Sequence, residues 1–266
     1  MIAIVTGAGR GIGFETAKAL MKRGFVVYNF GLVKDDENSG IKYINCDITS
    51  QQSVADAFKE FFEKEDRLDL LVNNAGIGIS GSVENTSPED IKKIFDVNFF
   101  GAAYCSQQAA AKMREQGSGK IVFTSSVASI FTIPFQVFYS ATKMSMNALS
   151  DGLRHELKSF GVQAGTLVLG DINTGFTKRY REKEITDPVY KDKINGCLAV
   201  MEKDESKGMS PQKVGAQIAK YLSRRKIRAS KVFGTIYYKF VVFLNKTLPK
   251  RWMTWGVYNI YCKGKK

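Results

Sequence analysis

The chain has 266 residues and carries 39 Lys and Arg against 26 Asp and Glu, a formal charge of +13. Twelve of those basic residues and no acidic one lie within 224–266, so residues 1–223 hold 27 against 26 and are electrically ordinary. The last segment also holds nine of the 31 aromatics, which argues against a solvated, disordered basic tail and against charge as a property of the whole protein.

Ile2 to Thr6 reads as a short buried strand, and Gly7-Ala8-Gly9-Arg10-Gly11-Ile12-Gly13 turns from it into a helix reaching about Arg23. Residues 25–30 form the next strand. Residues 51–64 have helical spacing through Val54, Ala57, Phe58, Phe61 and Phe62, and 68–72 is another buried strand. Pro88 opens a helix with Ser87 as its N-cap. Residues 121–124 and 163–169 are strands flanking a long helix from about Tyr139 to Phe160. Ser210-Pro211 is again a cap followed by Pro, starting a helix to about Leu222. Short apolar strands separated by helices imply a parallel sheet covered on both faces, an α/β doubly wound (Rossmann) single domain. Five Pro and no low-complexity run leave no obvious linker.

In such sheets ligands sit at the carboxyl ends of the strands where strand order reverses. Glycines at 7, 11 and 13 let backbone approach a pyrophosphate, and the helix that starts there points free N–H groups at the anion. Glycine loops also serve merely as turns. Tyr139 and Lys143 stand four apart on one helix face. A phenol is a poor acid–base group at neutral pH, and a neighbouring ammonium stabilises its phenolate. By itself Tyr-x-x-x-Lys is a common surface pair.

Taken together, the motifs resemble the short-chain dehydrogenases/reductases over roughly residues 2–222. The Thr-Gly-x-x-x-Gly-x-Gly motif stands as Thr6-Gly7-Ala8-Gly9-Arg10-Gly11-Ile12-Gly13, Asp47 and Ile48 match the adenine-side position, and Asn73-Asn74-Ala75-Gly76 matches the segment lining the cofactor cleft. Asn98, Ser126, Tyr139 and Lys143 match the catalytic set, with the spacing of 13 from Ser126 to Tyr139 favouring Ser126 over Ser125. The resemblance implies hydride transfer between a nicotinamide cofactor and a carbonyl or secondary alcohol, without a metal. In that scheme Tyr139 exchanges the proton, Ser126 holds the substrate oxygen, Lys143 binds the nicotinamide ribose and lowers the Tyr139 pKa, and Asn98 holds a water leading to solvent. Leu169-Gly170-Asp171-Ile172-Asn173-Thr174 stands where the family has Pro-Gly, and Ile172 and Thr174 are expected near the carboxamide.

NAD-dependent members carry an acidic residue at the end of the second strand, where this chain has Gly31. Gly31 leaves room for a phosphate, and Arg10 and Lys34 supply charge, so NADP(H) is favoured over NAD(H), although Asp35 and Asp36 follow closely. Residues 175–209 are expected to form an amphipathic substrate loop. About half of Val127, Ile130, Phe131, Ile133, Pro134, Phe135, Val137 and Phe138 are expected to reach the cleft. Such a pocket suits a bulky lipid-like alcohol or ketone better than a sugar, so the partner is expected to be a small hydrophobic alcohol/ketone substrate molecule, a hydroxysteroid or ketosteroid first, with retinal or 3-oxoacyl carbonyls as alternatives.

The domain is placed at 1–231 and an extension at 232–266. The extension resembles those of hydroxysteroid and retinol dehydrogenases and lacks the glycine-rich ending of acyl-carrier-protein reductases. Its aromatics and cations suit either packing on the body, over the substrate entrance or in an oligomer, or peripheral membrane contact. The longest apolar run, 232–244, is broken by Lys239 and too short to span a bilayer. Nucleic acid ranks below both, since no binding module accompanies the tail. Four dispersed cysteines read as reduced thiols, and the glycine loop begins too early for a signal segment, which leads to the expectation of a cytoplasmic protein, with membrane association through the extension as the other option. The family resemblance implies a homo-oligomer pairing through 98–113 and 139–160. His155 is expected to be structural or exposed. The rival reading is a dinucleotide-binding regulator with little catalysis, but a pure binder has no need of all four catalytic-type residues.

Overall fold

The computed structural model describes residues 1–34, 39–181 and 189–263, with the side chains of residues 180 and 181 outside the description. Seven strands form one parallel sheet in the order β3-β2-β1-β4-β5-β6-β7: β1 (Ile2–Thr6), β2 (Val26–Gly31), β3 (Lys42–Asn45), β4 (Leu70–Asn73), β5 (Gly119–Ser126), β6 (Val162–Leu169) and β7 (Ser230–Phe233). The order reverses between β1 and β4, whose carboxyl ends deliver Gly7 and Asn74 to one crevice.

Period-two alternation assigns each strand residue to one of two cores. Ala3, Val5, Val72, Val122 and Leu167 pack with Leu20 of α1 (Gly11–Met21) and Val214, Ile218 and Leu222 of α8 (Pro211–Leu222). Ile4, Phe30, Leu71, Ile121 and Phe123 face α2 (Gln51–Lys64), α4 (Gly101–Gln116) and α5 (Val137–Glu156) through Phe58, Phe61, Met113 and Met146. Ser50, Ser87 and Ser210 cap α2, α3 (Pro88–Phe95) and α8, accepting from the N–H of Ser53, Asp90 and Lys213 respectively.

Two strands carry no clear sequence signal. β3 and β7 are edges, each burying one residue, Ile44 or Phe233, so neither shows an apolar run. β7 also straddles the boundary placed between 231 and 232, so the sheet takes Val232 and Phe233, and the segment beyond the sheet starts at Gly234. That segment folds as α9 (Ile236–Thr247) and α10 (Lys250–Tyr261). The expected substrate loop contains α6 (Phe176–Arg181) and α7 (Lys191–Ser206), whose Ile194, Cys197, Leu198 and Met201 pack with Ala128 and Ile133. None of the four cysteines is in a disulfide, and His155 is exposed.

Candidate active site

A cavity of about 490 Å³ runs along the carboxyl edge of the sheet. One end is the glycine loop, where Gly7, Gly9, Arg10, Gly11, Ile12 and Gly13 line the wall. Gly13 admits no side chain: a Cβ there would lie 2.4 Å from Asn74 Nδ2 and 2.6 Å from the Gly7 carbonyl oxygen. Asn74 is held by Thr6, whose Oγ1 accepts from the Asn74 and Ala75 N–H groups at 2.9 and 3.0 Å. Thr6 is therefore buried behind the loop, outside the cavity lining, and braces Asn74-Ala75-Gly76 against it. Helix α1 has no side-chain cap and no acid in its first turn. Its N-terminal N–H groups are thus available to an anion, and a cradle of glycine backbone plus a helix N-terminus fits the pyrophosphate of a dinucleotide. Gly13→Ala is expected to weaken dinucleotide binding at least tenfold and to cost about 1–3 kcal/mol of stability through the displaced Asn74 and Gly7, read by calorimetric titration and thermal melts.

Asp47 and Ile48 line the wall beyond β3, and Asp47 is fixed by Thr49, whose N–H and hydroxyl donate to its Oδ1 at 3.0 and 2.7 Å. Gly31, Leu32 and Val33 close the end of β2. Lys34 is exposed and outside this lining, while Asp35 and Asp36 lie outside the described residues.

At the other end, Ser126, Tyr139 and Lys143 enter the same cavity from β5 and α5. The Lys143 ammonium lies 5.6 Å from the Tyr139 ring centre and donates to the Thr124 carbonyl oxygen at 2.8 Å. It is buried and in no ion pair with a described residue, and desolvation lowers its pKa from 10.5 to about 8. Ser126 accepts from the Ala128 N–H at 3.2 Å and keeps its own proton for another oxygen. Ser125 instead is buried in a network with Ser129 and Asn147, at 3.0 and 2.9 Å. Tyr139 therefore stands beside a cation and within the same chamber as a donor hydroxyl, the grouping that proton exchange with a ligand oxygen requires.

Asn98 sits in one π turn, Asp96–Phe100, between α3 and α4 and is wholly buried behind the cavity wall. Its carboxamide accepts from the Ile77 N–H at 2.8 Å and donates to the Ile77 carbonyl oxygen and Thr142 Oγ1 at 3.0 and 3.1 Å. Thr142 in turn donates to the Tyr139 carbonyl oxygen at 2.8 Å. Asn98 thus ties the loop segment following Gly76 to the helix that carries Tyr139.

Of the eight apolar residues expected around the serine, Val127 and Ile133 line the cavity, fewer than the expected half. Ile130 and Phe131 pack instead on Val168, Tyr238 and Val242, and Phe135 meets Tyr190. The strand ends there, so the chain turns back onto the sheet rather than over the cleft. Ile172 and Thr174 do line the cavity. Glu205 on α7 accepts from Thr174 Oγ1 at 2.9 Å and from the N–H groups of Phe176 and Thr177 at 2.7 and 2.9 Å, locking α6 beside Tyr139, whose ring is 5.9 Å from Phe176. Burial opposes the Glu205 charge, but the hydrogen bonds from Thr177, Thr174 and Phe176 outweigh it and hold the carboxyl below its ordinary value.

Among the cavity residues that the sequence left without a role, Asp171, Tyr238 and Tyr261 form one group beside the Ser126 end. Asp171 lies two residues past Leu169, the register partner of Ser126. Tyr238 of α9 donates its hydroxyl to Asp171 Oδ2, and its ring lies where a Cβ on Gly170 would stand, 2.5 Å away. Burial raises the Asp171 carboxyl from 3.8 to about 6, the Tyr238 bond opposing and Asp204 and Glu205 adding repulsion. A carboxylate between Gly170 and Ile172, directly past an apolar strand, was the signal available. The tyrosines gave none, because only the fold carries α9 and α10 back to the cavity.

A model of the short chain dehydrogenase family matches residues 1–185. A 3-ketodihydrosphingosine reductase of Bacteroides thetaiotaomicron is 35% identical over 227 residues, covering 84% of each chain. A 3alpha-hydroxysteroid dehydrogenase of Mediterraneibacter gnavus is 36% identical over 188 residues, 65% of this chain and 74% of that one. A short-chain dehydrogenase from Streptomyces avermitilis superposes with a TM-score of 0.78 over 96% of this chain and 95% of its own, at 24% identity. The chain belongs to the short-chain dehydrogenase/reductase family, oxidoreductases that act on the CH–OH group of donors with a nicotinamide dinucleotide.

Proposed function

We propose that the protein reduces the ketone of a long-chain lipid bearing an ammonium group next to the carbonyl, the chemistry of a 3-ketodihydrosphingosine, with NADPH as reductant. The observation that carries this reading is Asp171. It is a largely buried carboxylate on the cavity wall at the Ser126 end, bonded to Tyr238, and in no ion pair with a described residue. Arg179 lines the same cavity and does not pair with it. A carboxylate kept without a counter-charge is costly, and a cationic substrate group supplies the missing partner.

When bound, NADPH supplies the hydride to the carbonyl carbon. Tyr139 gives its phenolic proton to the carbonyl oxygen, which Ser126 holds by hydrogen bond. The Lys143 ammonium stabilises the phenolate left behind, and Asn98 positions Tyr139 through Thr142. Gly31 leaves space and Arg10 a cation for the 2′-phosphate of NADPH. The cavity walls supplied by Ile133, Phe176, Met201, Tyr238 and Tyr261 accommodate an alkyl chain.

The same apolar walls favour a second reading, a hydroxysteroid or ketosteroid substrate. Absorbance loss of NADPH or NADH with a long-chain 2-amino-3-ketone, its des-amino counterpart and a ketosteroid separates the two. The expected result is at least tenfold higher kcat/KM for the amino ketone than for either neutral ketone, and for NADPH than for NADH. Preference for the ketosteroid sinks the first reading, and turnover of none of them favours a dinucleotide-binding regulator.

A further inference from the structure

The last 43 residues carry the protein's excess charge, and the proposed reaction uses only the inner faces of their two helices. Tyr238 and Val242 are buried against the body, and Tyr238 and Tyr261 reach the cavity. The outer faces are left to solvent. On α9 they present Ile236, Tyr237, Phe240 and Phe243, and on α10 Trp252, Trp255 and Tyr258 at steps of three residues. Ile236 is 79% exposed and Trp255 67%, values that an isolated surface side chain can reach but that a run of seven large apolar groups on consecutive helices does not reach by accident.

The same two helices carry Lys239, Lys246, Lys250 and Arg251, with Lys263 just beyond, all exposed and none in an ion pair with a described residue. Between Arg224 and Lys266 there is no acidic residue to neutralise them. No helix among the described residues is long and apolar enough to cross a membrane. Rings at the boundary of water and hydrocarbon, flanked by unneutralised cations and without a spanning helix, match the physics of a monotopic surface.

We infer that the outer face of α9 and α10 docks on an anionic phospholipid bilayer, with Trp252, Trp255, Phe240 and Phe243 at headgroup depth and the lysines on the lipid charge. Charge complementarity selects this occupant: a second copy of the chain would bring the same cations into mutual repulsion. Because the opposite faces of these helices wall the cavity, the docked enzyme holds its substrate chamber next to the bilayer. That consequence rests on the lipid-ketone reading; the docking itself does not.

The test is co-sedimentation of the full-length protein with vesicles of phosphatidylcholine alone and of phosphatidylcholine mixed with phosphatidylglycerol. Binding is expected to the mixed vesicles and to weaken with added salt. Lys239→Gln/Lys246→Gln/Lys250→Gln is expected to weaken it on the order of a hundredfold, at about fivefold per charge removed. Trp252→Ala/Trp255→Ala is expected to weaken it roughly tenfold or more. Both variants should keep the wild-type melting temperature and the NADPH-dependent turnover of a short water-soluble ketone. Equal sedimentation with both vesicle types, no sedimentation with either, or a wild-type dimer in analytical ultracentrifugation that the tryptophan variant converts to monomer would each overturn the inference. None of these readouts depends on which lipid ketone is reduced.

Discussion

Tyr139→Phe is expected to lower kcat/KM for ketone reduction by about two to four orders of magnitude while leaving NADPH binding within a factor of about two. The hydroxyl is the only group removed. The ring contact to Phe176 and the Lys143 ammonium over its face both remain. Loss confined to kcat locates the defect in proton transfer, and a variant that retained full turnover would refute the role given to Tyr139. The wild-type reduction rate should also fall as pH rises through about 8, where the buried Lys143 loses its charge. The sign follows from desolvation: the ammonium that stabilises the phenolate exists below that value and is lost above it. Lys143→Met should flatten that limb in a pH–rate profile, and a persisting limb would assign it to another group.

Asp171→Asn is expected to act in opposite directions on activity and stability. A charge-assisted hydrogen bond contributes about 1.5–3 kcal/mol, so kcat/KM for a long-chain amino ketone should fall roughly 10- to 100-fold, with the des-amino ketone changed by less than about threefold. Equal losses on both substrates would make Asp171 a structural residue that anchors Tyr238. Stability should rise. The folded state keeps the Asp171 proton up to about 6, whereas 3.8 is the ordinary value. Between those values the folded chain binds more protons than the unfolded one, so stability falls as pH rises through the window and the cost is complete above it. A shift of about two units corresponds to about 3 kcal/mol, and partial exposure reduces this to about 2 kcal/mol. Asn escapes that cost yet still accepts from Tyr238, so the gain in melting temperature over wild type should appear at neutral pH and vanish below pH 3.8.

Much of the dinucleotide end was legible because it is local. The run from Thr6 to Gly13 encodes its own turn, and Ser87-Pro88 and Ser210-Pro211 encode their own helix starts, all of which the fold reproduces. Tyr139 and Lys143 share a face by helical spacing alone. The edge strands β3 and β7 were not legible, because burying one residue each leaves no pattern. Nor could the number of apolar residues reaching the cleft after Ser126 be read, because hydrophobicity does not say which of two buried surfaces a side chain joins. Phe131 joined the α9 contact, and Ile133 the cavity.

The family, the glycine loop and the shared helix face of Tyr139 and Lys143 could be read from the chain alone, since these rest on spacings within single strands, turns and helices. So could the position of the positive charge at the chain's end. How that end is divided emerges from the fold, with Tyr238 and Tyr261 turned toward the cavity and the tryptophans toward solvent. The fold also brought Asp171 against Tyr238, 67 residues away in the chain. Contacts across such distances are set by how the helices pack on the sheet, which depends on the whole core and on no single motif.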